Sequence, residues 1–544
     1  SDSAPITLDA GRIGFSGTGS GGAGDFSETL GSVSLGSGSN LIFAQKVDAA
    51  TTTLTFQALG SRAAGSTLVF DSVVGTTDTG ATLRFTSAPT NDVGGILGGW
   101  AIRSTSDGPD ANSQVQFREW ATVSAGQIVP LSSYQTGGES SWTALNNVKL
   151  ASSQTLTTSR SIHSLNIQDT AGRTLTIAAQ TATAPQTLVI NSGGILSTRA
   201  THTITGGFLT AGTYAGSASP YELMFYLPTN QLNVNSVITD NGTPVSVTKS
   251  GASVLVLSPQ IALNVARTNG ISTVNLGASH QTNQIQVGAT VTGPGIPAGT
   301  TVIAINSATQ IVLSNAPTTT ASGNLTFDRD NTYTGRTFIN EGTLQITRES
   351  DLGSNPTSFA AGQLTLNGGI LRAAADMAID DANRGITLGL ADGFFRVANN
   401  RTLTIGAANT IAGSQGRLIF AADGNNRGNL IINGNHDLSG GIETSGAQSA
   451  VYTATLLSTY TAGSITVTVP TTAGLEVGAD VTGDGIPTGA TVARIVDATT
   501  VELSSAATAN GVDDLVFGNF NTMRLTGNNT IGLIRLIGSA IALQ

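Results

Sequence analysis

The chain has 544 residues and a formal net charge of −10, and only 11% of its residues are charged. It contains no Cys, which excludes disulfides and thiolate metal sites, and it lacks the basic stripe that nucleic-acid binding requires. No apolar run approaches the roughly 18 residues of a membrane helix, so we expect no membrane insertion.

The sequence contains three tryptophans, Trp100, Trp120 and Trp142. Exposed aromatic rings in such a cluster stack on sugars, whereas buried rings fill the broad end of a β-solenoid core. We favour packing for these residues and keep a sugar-stacking platform as the alternative. Farther along, we expect the pair Phe394 and Phe395 to point one ring inward and one outward from a strand.

Short alternating strands dominate the sequence throughout. Leu175 and Ile177 alternate with threonines in the segment TLTI, and the same four letters recur at 402–405. Alternation of apolar and polar residues predicts strands with one buried face. Such strands recur about every 8 to 12 residues between glycine- and asparagine-containing turns, which predicts an all-β fold.

Internal repeats favour a solenoid over a sandwich. The segments 188–196, 363–371 and 429–438 share a strand, an asparagine-centred turn and a second strand. Repeated units that contact only their neighbours are typical of solenoids. We predict three asparagines at corners, because asparagine tolerates left-handed backbone angles: Asn191, Asn367 and Asn433. We predict the following residues in the core: Leu175, Ile177, Leu364 and Leu366.

Two longer segments, 287–327 and 477–517, align without a gap and indicate a duplicated β-module. We expect the two copies to share one fold. The predicted core of the first copy is Val291, Ile305, Leu313 and Phe327, and that of the second is Val481, Ile495, Leu503 and Phe517.

The segment NTYTGRTFINEGTLQI at 331–346 closely resembles the autotransporter-associated β-strand repeat, and 247–258 and 352–372 resemble its neighbouring strands. This resemblance implies a right-handed parallel β-helix, or β-solenoid, of a passenger protein on the outside of a bacterium. We therefore predict solenoid at 1–260, 328–446 and 518–544, with inserted β-modules at 261–327 and 447–517. A single stack of this kind has about 16 to 20 coils and is about 80 to 95 Å long.

No residue pattern points to catalysis, a cofactor or a metal. Sugar hydrolysis needs two facing carboxylates, but the four candidate acidic pairs of the sequence fit solvated turns or module junctions instead: Asp107 with Asp110, Asp328 with Asp330, Asp380 with Asp381, and Asp513 with Asp514. A weak calcium site at one of these pairs stays open as an alternative. The four histidines lack zinc-site spacing and are interpreted as isolated residues on polar faces: His163, His202, His280 and His436.

Together these patterns predict an extracellular structural protein of the bacterial cell surface, a fibre or filament subunit whose partners are further copies of itself. The apolar strands at both ends, without polar capping repeats, favour end-to-end assembly, and the two modules offer lateral contacts to neighbouring copies. The alternative is an autotransporter-type adhesin that binds surface glycans or other cells, and a third hypothesis is a polysaccharide-degrading β-helix enzyme.

Overall fold

The structure is a computed structural model that describes residues 3–17, 24–46, 51–74, 77–78, 81–105, 117–178, 186–214, 221–276, 282–399, 401–421, 423, 428–445, 452–473, 475, 477–519, 522–537 and 540–543. Within these ranges, helix is confined to three short 3-10 turns, Glu139–Ser141, Thr282–Gln284 and Glu349–Leu352. No helix among the described residues is long and apolar enough to cross a membrane. All other regular structure is strand, as the alternating sequence predicts.

The first part of the chain forms a parallel stack of its own, here called the N-terminal stack. Its strands are β1 (Ile6–Asp9), β2 (Arg12–Gly17), β3 (Phe26–Leu30), β4 (Val33–Ser37), β5 (Ser39–Lys46), β6 (Thr52–Arg62), β7 (Thr67–Asp71), β8 (Val73–Val74), β9 (Thr77–Asp78), β10 (Thr82–Ser87), β11 (Ala101–Thr105), β12 (Phe117–Ser124) and β13 (Gln127–Pro130). The ladders β1–β4–β6–β10 and β2–β5–β7–β11 are parallel, and the antiparallel strands β12 and β13 join them into one sheet.

The main stack begins with β14 (Asn147–Lys149), β15 (Gln154–Leu156), β16 (Arg160–Ile162), β17 (Ser164–Gln168), β18 (Thr174–Ile177), β19 (Thr187–Ile190), β20 (Gly194–Thr198), β21 (His202–Gly206), β22 (Phe208–Ala211), β23 (Glu222–Tyr226), β24 (Leu232–Val234), β25 (Val237–Ile238), β26 (Ser246–Ser250) and β27 (Val254–Leu257). Every third strand pairs in parallel, so the chain winds around three sides. Leu175 and Ile177, predicted in the core, are fully buried.

The first module leaves the stack after β27. It comprises β28 (Gln260–Arg267), β29 (Thr273–Leu276), β30 (Val291–Thr292), β31 (Val302–Ser307), β32 (Gln310–Leu313) and β33 (Ala321–Asp328). These strands are antiparallel in the order β30–β33–β28–β29–β32–β31. A bridge between Thr290 and Thr301 joins the two ends of that order, so the sheet closes into a small barrel.

The main stack then resumes with β34 (Thr337–Ile339), β35 (Thr343–Ile346), β36 (Ala360–Leu366), β37 (Ile370–Ala373), β38 (Met377–Ile379), β39 (Arg384–Leu388), β40 (Gly393–Val397), β41 (Thr402–Ile405), β42 (Ile411–Ala412), β43 (Leu418–Ala421), β44 (Asn429–Ile432), β45 (Asp437–Leu438) and β46 (Ile442–Ser445). β34 pairs directly with β26, and β35 pairs with β27. The rungs therefore continue across the first module as if it were absent. Leu364 and Leu366, also predicted in the core, are fully buried.

The second module repeats the topology of the first. It comprises β47 (Tyr452–Tyr460), β48 (Thr466–Thr468), β49 (Asp480–Thr482), β50 (Val492–Ile495), β51 (Thr500–Leu503) and β52 (Gly511–Asn519). Their order is β49–β52–β47–β48–β51–β50, which matches the first module strand for strand, and a bridge between Asp480 and Thr491 closes it. The prediction of one shared fold is confirmed. The chain then ends in the main stack with β53 (Thr522–Leu525), β54 (Thr530–Ile531), β55 (Ile534–Ile537) and β56 (Ala540–Leu543).

One predicted pair of module core residues is wrong. Ile305 and Ile495 are 38% and 36% exposed, while the equivalent valines Val302 and Val492 are fully buried. A register shift interrupts the pairing of β31 with β32 and of β50 with β51 just after each valine. This irregularity breaks the strict alternation of faces on which the prediction relied. The other six predicted core residues of the modules are buried.

The predicted corners are confirmed, but the reason given for them is wrong. Asn191, Asn367 and Asn433 each follow directly on a strand end, yet none of the three has a positive φ. The left-handed angle falls on the glycine one or two residues later, for example φ 74° at Gly193 and 99° at Gly368. The asparagines contribute their side chains instead: the Asn367 Oδ1 accepts a hydrogen bond of 2.9 Å from the backbone N–H of Ala391 on the next rung.

The number of turns and the length differ from the prediction. The fold has about 14 turns instead of 16 to 20. Turns in the first part of the main stack take more than the roughly 20 to 25 residues expected for a coil. There Leu165 pairs with Ile195, 30 residues on, whereas Leu371 pairs with Phe395, 24 residues on. The two long sheets of the main stack have 11 strands each, and ten steps of about 4.8 Å give a rod about 48 Å long. The remaining turns form the N-terminal stack, whose strands pair with none of the three sides of the main stack among the described residues.

The N-terminal stack lies beside the main stack instead of extending it. The sheet β14–β17–β20–β23–β26–β34–β36–β39–β42–β45–β54, here called the flank sheet, faces it. A shared apolar cluster contains Val69, Ile102 and Trp120 from the N-terminal stack and Leu196 and Tyr226 from the flank sheet. Strands β20 and β23 are consequently buried on both faces, because one face meets the main core and the other meets the N-terminal stack.

Candidate functional site

A buried ion pair holds the middle of the seam between the two stacks. Arg62 and Glu222 approach to 3.0 Å with side chains 3% and 4% exposed. The Glu222 Oε1 also accepts hydrogen bonds from the backbone N–H of Gly65 (3.1 Å) and from the Thr248 hydroxyl (2.6 Å). A buried carboxylate with this many donors fixes the two stacks in one relative position, since losing any partner leaves a charged or polar group unpaired.

A second polar cluster holds one end of the seam, at its first rungs. The Glu119 carboxylate pairs with the Lys149 ammonium group at 2.7 Å and accepts a hydrogen bond of 2.8 Å from the Asn166 amide. Close by, the His163 Nε2 lies 2.9 Å from the Asp92 Oδ2, and both side chains are buried. The seam is thus fixed at several rungs by polar contacts that supplement the apolar cluster.

Beside these polar clusters, the two stacks enclose a groove with a volume of about 330 Å³. Its described lining comes from both stacks: Ala10, Arg12, Ser39, Asn40, Leu41, Val69, Arg118, Tyr226, Asn340, Glu341, Asn367 and Ala391. This volume lies at the lower end of the roughly 300–1,000 Å³ typical of small-molecule sites. The lining is mainly polar, and the groove is the candidate functional site.

Amide groups in the groove mainly hold its walls. The Asn40 amide donates to the carbonyl of Ser37 (2.9 Å), and its Oδ1 accepts the backbone N–H of Gly11 (2.9 Å). The Asn340 amide donates to the carbonyl of Gly65 at 2.6 Å, which ties the first corner after the first module to the N-terminal stack. These groups give the groove a fixed shape.

Two charged side chains keep unused hydrogen-bonding capacity towards the groove. The Glu341 Oε2 accepts hydrogen bonds from the Ser39 hydroxyl and from the backbone N–H of Gly251, both at 3.2 Å, whereas its Oε1 has no partner among the described residues. Arg12 is exposed, and its guanidinium group has no hydrogen bond or ion pair within the described part of the chain. A carboxylate acceptor and a guanidinium donor are therefore both available.

A buried tyrosine and two aliphatic residues give the groove an apolar side. Tyr226 is only 6% exposed, and burial raises its pKa to about 12, so its phenol stays neutral at physiological pH. Leu41 and Val69 lie beside it in the lining. The groove thus combines an apolar face with hydrogen-bonding groups, an arrangement that suits an amphipathic ligand such as a sugar.

Lys249 lies under the groove corner and is fully buried. Its ammonium group donates to the backbone carbonyls of Ser250 (2.9 Å), Gly251 (2.5 Å) and Glu341 (3.0 Å). Burial lowers the pKa of Lys249 to about 7, although the Glu341 charge opposes the shift. Lys249 therefore pins the corner that presents Glu341, and its charge changes near neutral pH.

The acidic pairs considered in the sequence serve structural roles where the structure describes them. Asp328 and Asp330 both face Arg348, at 2.8 and 3.7 Å, and Asp351 joins them at 3.3 Å. Burial raises the pKa of Asp351 to about 6. This cluster closes the junction where the chain returns from the first module. Asp107 and Asp110 lie outside the described residues.

The other two acidic pairs do not face each other across a cleft. The backbone N–H of Asp380 donates to the Glu349 carboxylate, and Asp381 caps a turn by accepting the backbone N–H of Asn383. Asp513 and Asp514 lie within strand β52 instead of in a turn, and Asp513 accepts a hydrogen bond of 3.0 Å from Tyr460. No cluster of three or more potential metal ligands exists among the described residues.

The three histidines that the structure describes, His163, His202 and His436, are buried and do not lie on polar faces as predicted. His202 and His436 sit at corners, where each Nε2 lies 3.0 Å from a backbone carbonyl and burial lowers the pKa. His163 meets Asp92, which is 71 residues away in sequence and so gave no local signal. His280 lies outside the described residues. The imidazole rings of His202 and His436 thus provide hydrogen-bond partners for backbone groups at these corners.

The three tryptophans pack in the interior, as we predicted in preference to an exposed platform that stacks on sugars. Trp100 and Trp142 are 5% exposed and Trp120 is fully buried. Trp142 belongs to the main core beside its first rung, which agrees with a plug at the N-terminal end. Of the phenylalanine pair, Phe395 is fully buried and Phe394 is half-buried on the opposite face, as predicted.

The sequence comparisons agree with this fold. Residues 320–346 match the family model of the passenger-associated-transport-repeat. The Adhesin BmaC autotransporter of Brucella suis biovar 1 (strain 1330) is 31% identical over 198 residues, which cover 35% of this chain and 5% of that protein. The chain thus spans about one twentieth of the length of this relative. No solved structure matches. The repeat, the relative and the β-solenoid all fit an autotransporter passenger β-helix.

The matched repeat is a structural device that also contributes to the groove. Asn331 is buried, accepts the backbone N–H of Ile238 (2.7 Å) and donates to the carbonyl of Asp351 (2.8 Å). The Tyr333 hydroxyl, also buried, lies 2.8 Å from the Thr337 hydroxyl. These contacts guide the chain from the first module back into the stack. The turn that follows β34 then places Asn340 and Glu341 at the groove.

Proposed function

We propose that this chain is the displayed part of an autotransporter-type adhesin on the outside of a bacterium. The observation that carries the proposal is the 31% identity over 198 residues to the Adhesin BmaC autotransporter. The passenger-associated-transport-repeat at 320–346 supports the same surface location. Of the hypotheses drawn from the sequence, this one was the alternative to a filament subunit, and the comparisons support it better.

The geometry suits presentation of a surface. The stacked rungs form a stiff rod, because each strand pairs with its neighbours above and below along the main stack. Two barrels project from the rod, and a groove runs along the seam between the stacks. Glu341 is the one acidic residue among the described groove-lining residues. Because sugar hydrolysis uses two facing carboxylates, we propose binding without turnover at this groove.

An attachment assay tests the adhesin function. Beads that carry the folded 544-residue chain are incubated with panels of epithelial and bacterial cells, and the matched control is the same chain on beads after heat unfolding. We expect the folded chain to hold cells against flow and the unfolded chain to release them. Equal attachment of the two bead types to every cell type would contradict the adhesin function.

A second candidate function is contact with further copies of the chain through the modules. Val287 and Val477 occupy equivalent positions and are both 59% exposed, and Ile305 and Ile495 are also exposed in both copies. Single exposed apolar residues are common, but the same ones on two barrels of one rod provide contacts at a fixed spacing. The filament role predicted from the sequence remains a prediction.

A further inference from the structure

We propose that the groove between the stacks binds a short acidic sugar of one or two units, with its carboxylate on Arg12 and its hydroxyls on Glu341 and Asn340. The inference rests on the proposed adhesin function, because it names the ligand class of that surface. The acidic sugar is the choice that uses each unpaired group of the groove at once.

Arg12 is placed to receive an anion. It begins strand β2, and its register partner on β5 is Leu41, which also lines the groove. The strand pairing fixes the backbone, while the exposed guanidinium group keeps five N–H donors without a partner in the described part of the chain. Planar guanidinium groups bind carboxylates through two parallel hydrogen bonds. The other lining arginine, Arg118, already donates to the Ser104 hydroxyl.

The opposite wall offers acceptors for hydroxyl groups. The Glu341 Oε1 and the Asn340 Oδ1 have no hydrogen-bond donor among the described residues, although the rest of each side chain is held by the seam. Both side chains come from one corner that Lys249 holds from below through the carbonyl of Glu341. Acceptors that are fixed before binding cost little to order when a ligand arrives.

The remaining lining fits the carbon face of a sugar ring. Leu41, Val69 and Tyr226 form an apolar patch, and Ala10 and Ala391 leave space at the rim. The volume of about 330 Å³ limits the ligand to a small one. A neutral sugar would use the apolar patch and the acceptors but leave Arg12 without a partner. A carboxylate-bearing sugar uses all three.

Isothermal titration of the full chain with glucuronate tests the site, with glucose as the neutral probe and N-acetylaspartate amide as the acidic, non-sugar probe. We expect glucuronate to bind most tightly of the three, and Arg12→Ala to weaken it about tenfold or more. The matched control is Arg84→Ala, an exposed arginine of strand β10 that does not line the groove. The Arg84→Ala chain should bind glucuronate with the same affinity as the unchanged chain.

Three results would overturn the inference: no glucuronate binding, equal weakening by Arg12→Ala and Arg84→Ala, or tighter binding of N-acetylaspartate amide than of glucuronate, which would assign the groove to an acidic peptide. Glu341→Gln gives a second readout, because it replaces the free acceptor oxygen by a donor and should weaken glucose as well as glucuronate. Cell attachment by beads that carry the Arg12→Ala chain separates the two proposals. If beads with the Arg12→Ala chain still hold cells, and the unchanged chain binds no glucuronate, the groove inference fails and the adhesin function stands.

Discussion

Replacing Glu222 by alanine should loosen the N-terminal stack from the main stack. The change removes the carboxylate that accepts from Arg62, Gly65 and Thr248. Because the Arg62 side chain is only 3% exposed, its charge stays buried without its carboxylate partner. Breaking a buried pair from one side costs about 3–5 kcal/mol, and we expect this cost to fall on the docking of the two stacks.

The double variant Arg62→Met with Glu222→Met is the matched comparison. It removes both charges and fills the space with apolar groups, so the remaining loss comes mainly from the N–H of Gly65 and the Thr248 hydroxyl, which lose the carboxylate that accepts from them. Each unsatisfied buried donor costs about 1–3 kcal/mol, and Glu222→Ala affects the same two donors in addition to the buried Arg62 charge. The double variant should therefore be more stable than Glu222→Ala, even though it carries two changes.

Tryptophan fluorescence during urea unfolding provides the assay. Trp120 lies in the seam cluster and Trp100 contacts Arg62 through a cation–π interaction at 5.9 Å, so undocking exposes both to water and shifts their emission to longer wavelength. We expect Glu222→Ala to show an early emission change, at lower urea than the loss of strand circular dichroism. If the single and double variants unfold at the same urea concentration, the reasoning about the buried charge is refuted.

Three further predictions follow from other parts of the fold. Because burial lowers the pKa of Lys249 from 10.5 to about 7, the unfolded chain binds more protons than the folded chain between these values, and stability should rise with pH across this window. Urea midpoints should show this rise, and Lys249→Met should lack that part of it. Deletion of residues 452–519 should leave the main stack folded, since β45 already pairs with β54; loss of cooperative unfolding would contradict this. Light scattering of the purified chain tests the predicted assembly: a mass above that of one chain supports it, and a stable monomer contradicts it.

The alternating strands and the duplicated modules could be predicted from the sequence because both are local patterns. Leu175 and Ile177 face the core and their threonine neighbours face outward, as the period of two requires. The gapless similarity of 287–327 and 477–517 carried over to one strand order. Where a register shift broke the period, at Ile305, the prediction failed.

The docking of two stacks was not predicted, although the sequence contains a signal for it. Strands buried on both faces lose their polar positions. The strand Glu222–Tyr226, with the letters ELMFY, shows this after its first residue, in contrast to TLTI at Thr174–Ile177. A search for strands without alternation would have marked the flank sheet as covered. It would not have shown what covers it.

The groove itself could not be predicted from local patterns. Arg12, Tyr226 and Glu341 lie more than 100 residues apart from one another and meet only because the first part of the chain folds back along the rod. Nothing in the neighbourhood of any one of them differs from an ordinary strand or turn. The number of turns failed for a related reason, since the length of a corner loop depends on what it packs against.

The seam has a mechanical consequence for a rod that carries load. A solenoid pulled from one end can peel one rung at a time, because each rung is held only by its neighbour. The N-terminal stack contacts seven successive rungs of the flank sheet, from Asn147 to Asn367, so these rungs must shear together. The N-terminal stack therefore spans the point where the first module is inserted into the rod, between β26 and β34. The insertion point of the second module, between β45 and β54, lies beyond the seven rungs that the N-terminal stack contacts. Under tension we expect the rod to unfold first at the insertion point of the second module, while the groove and the rungs around it keep their shape.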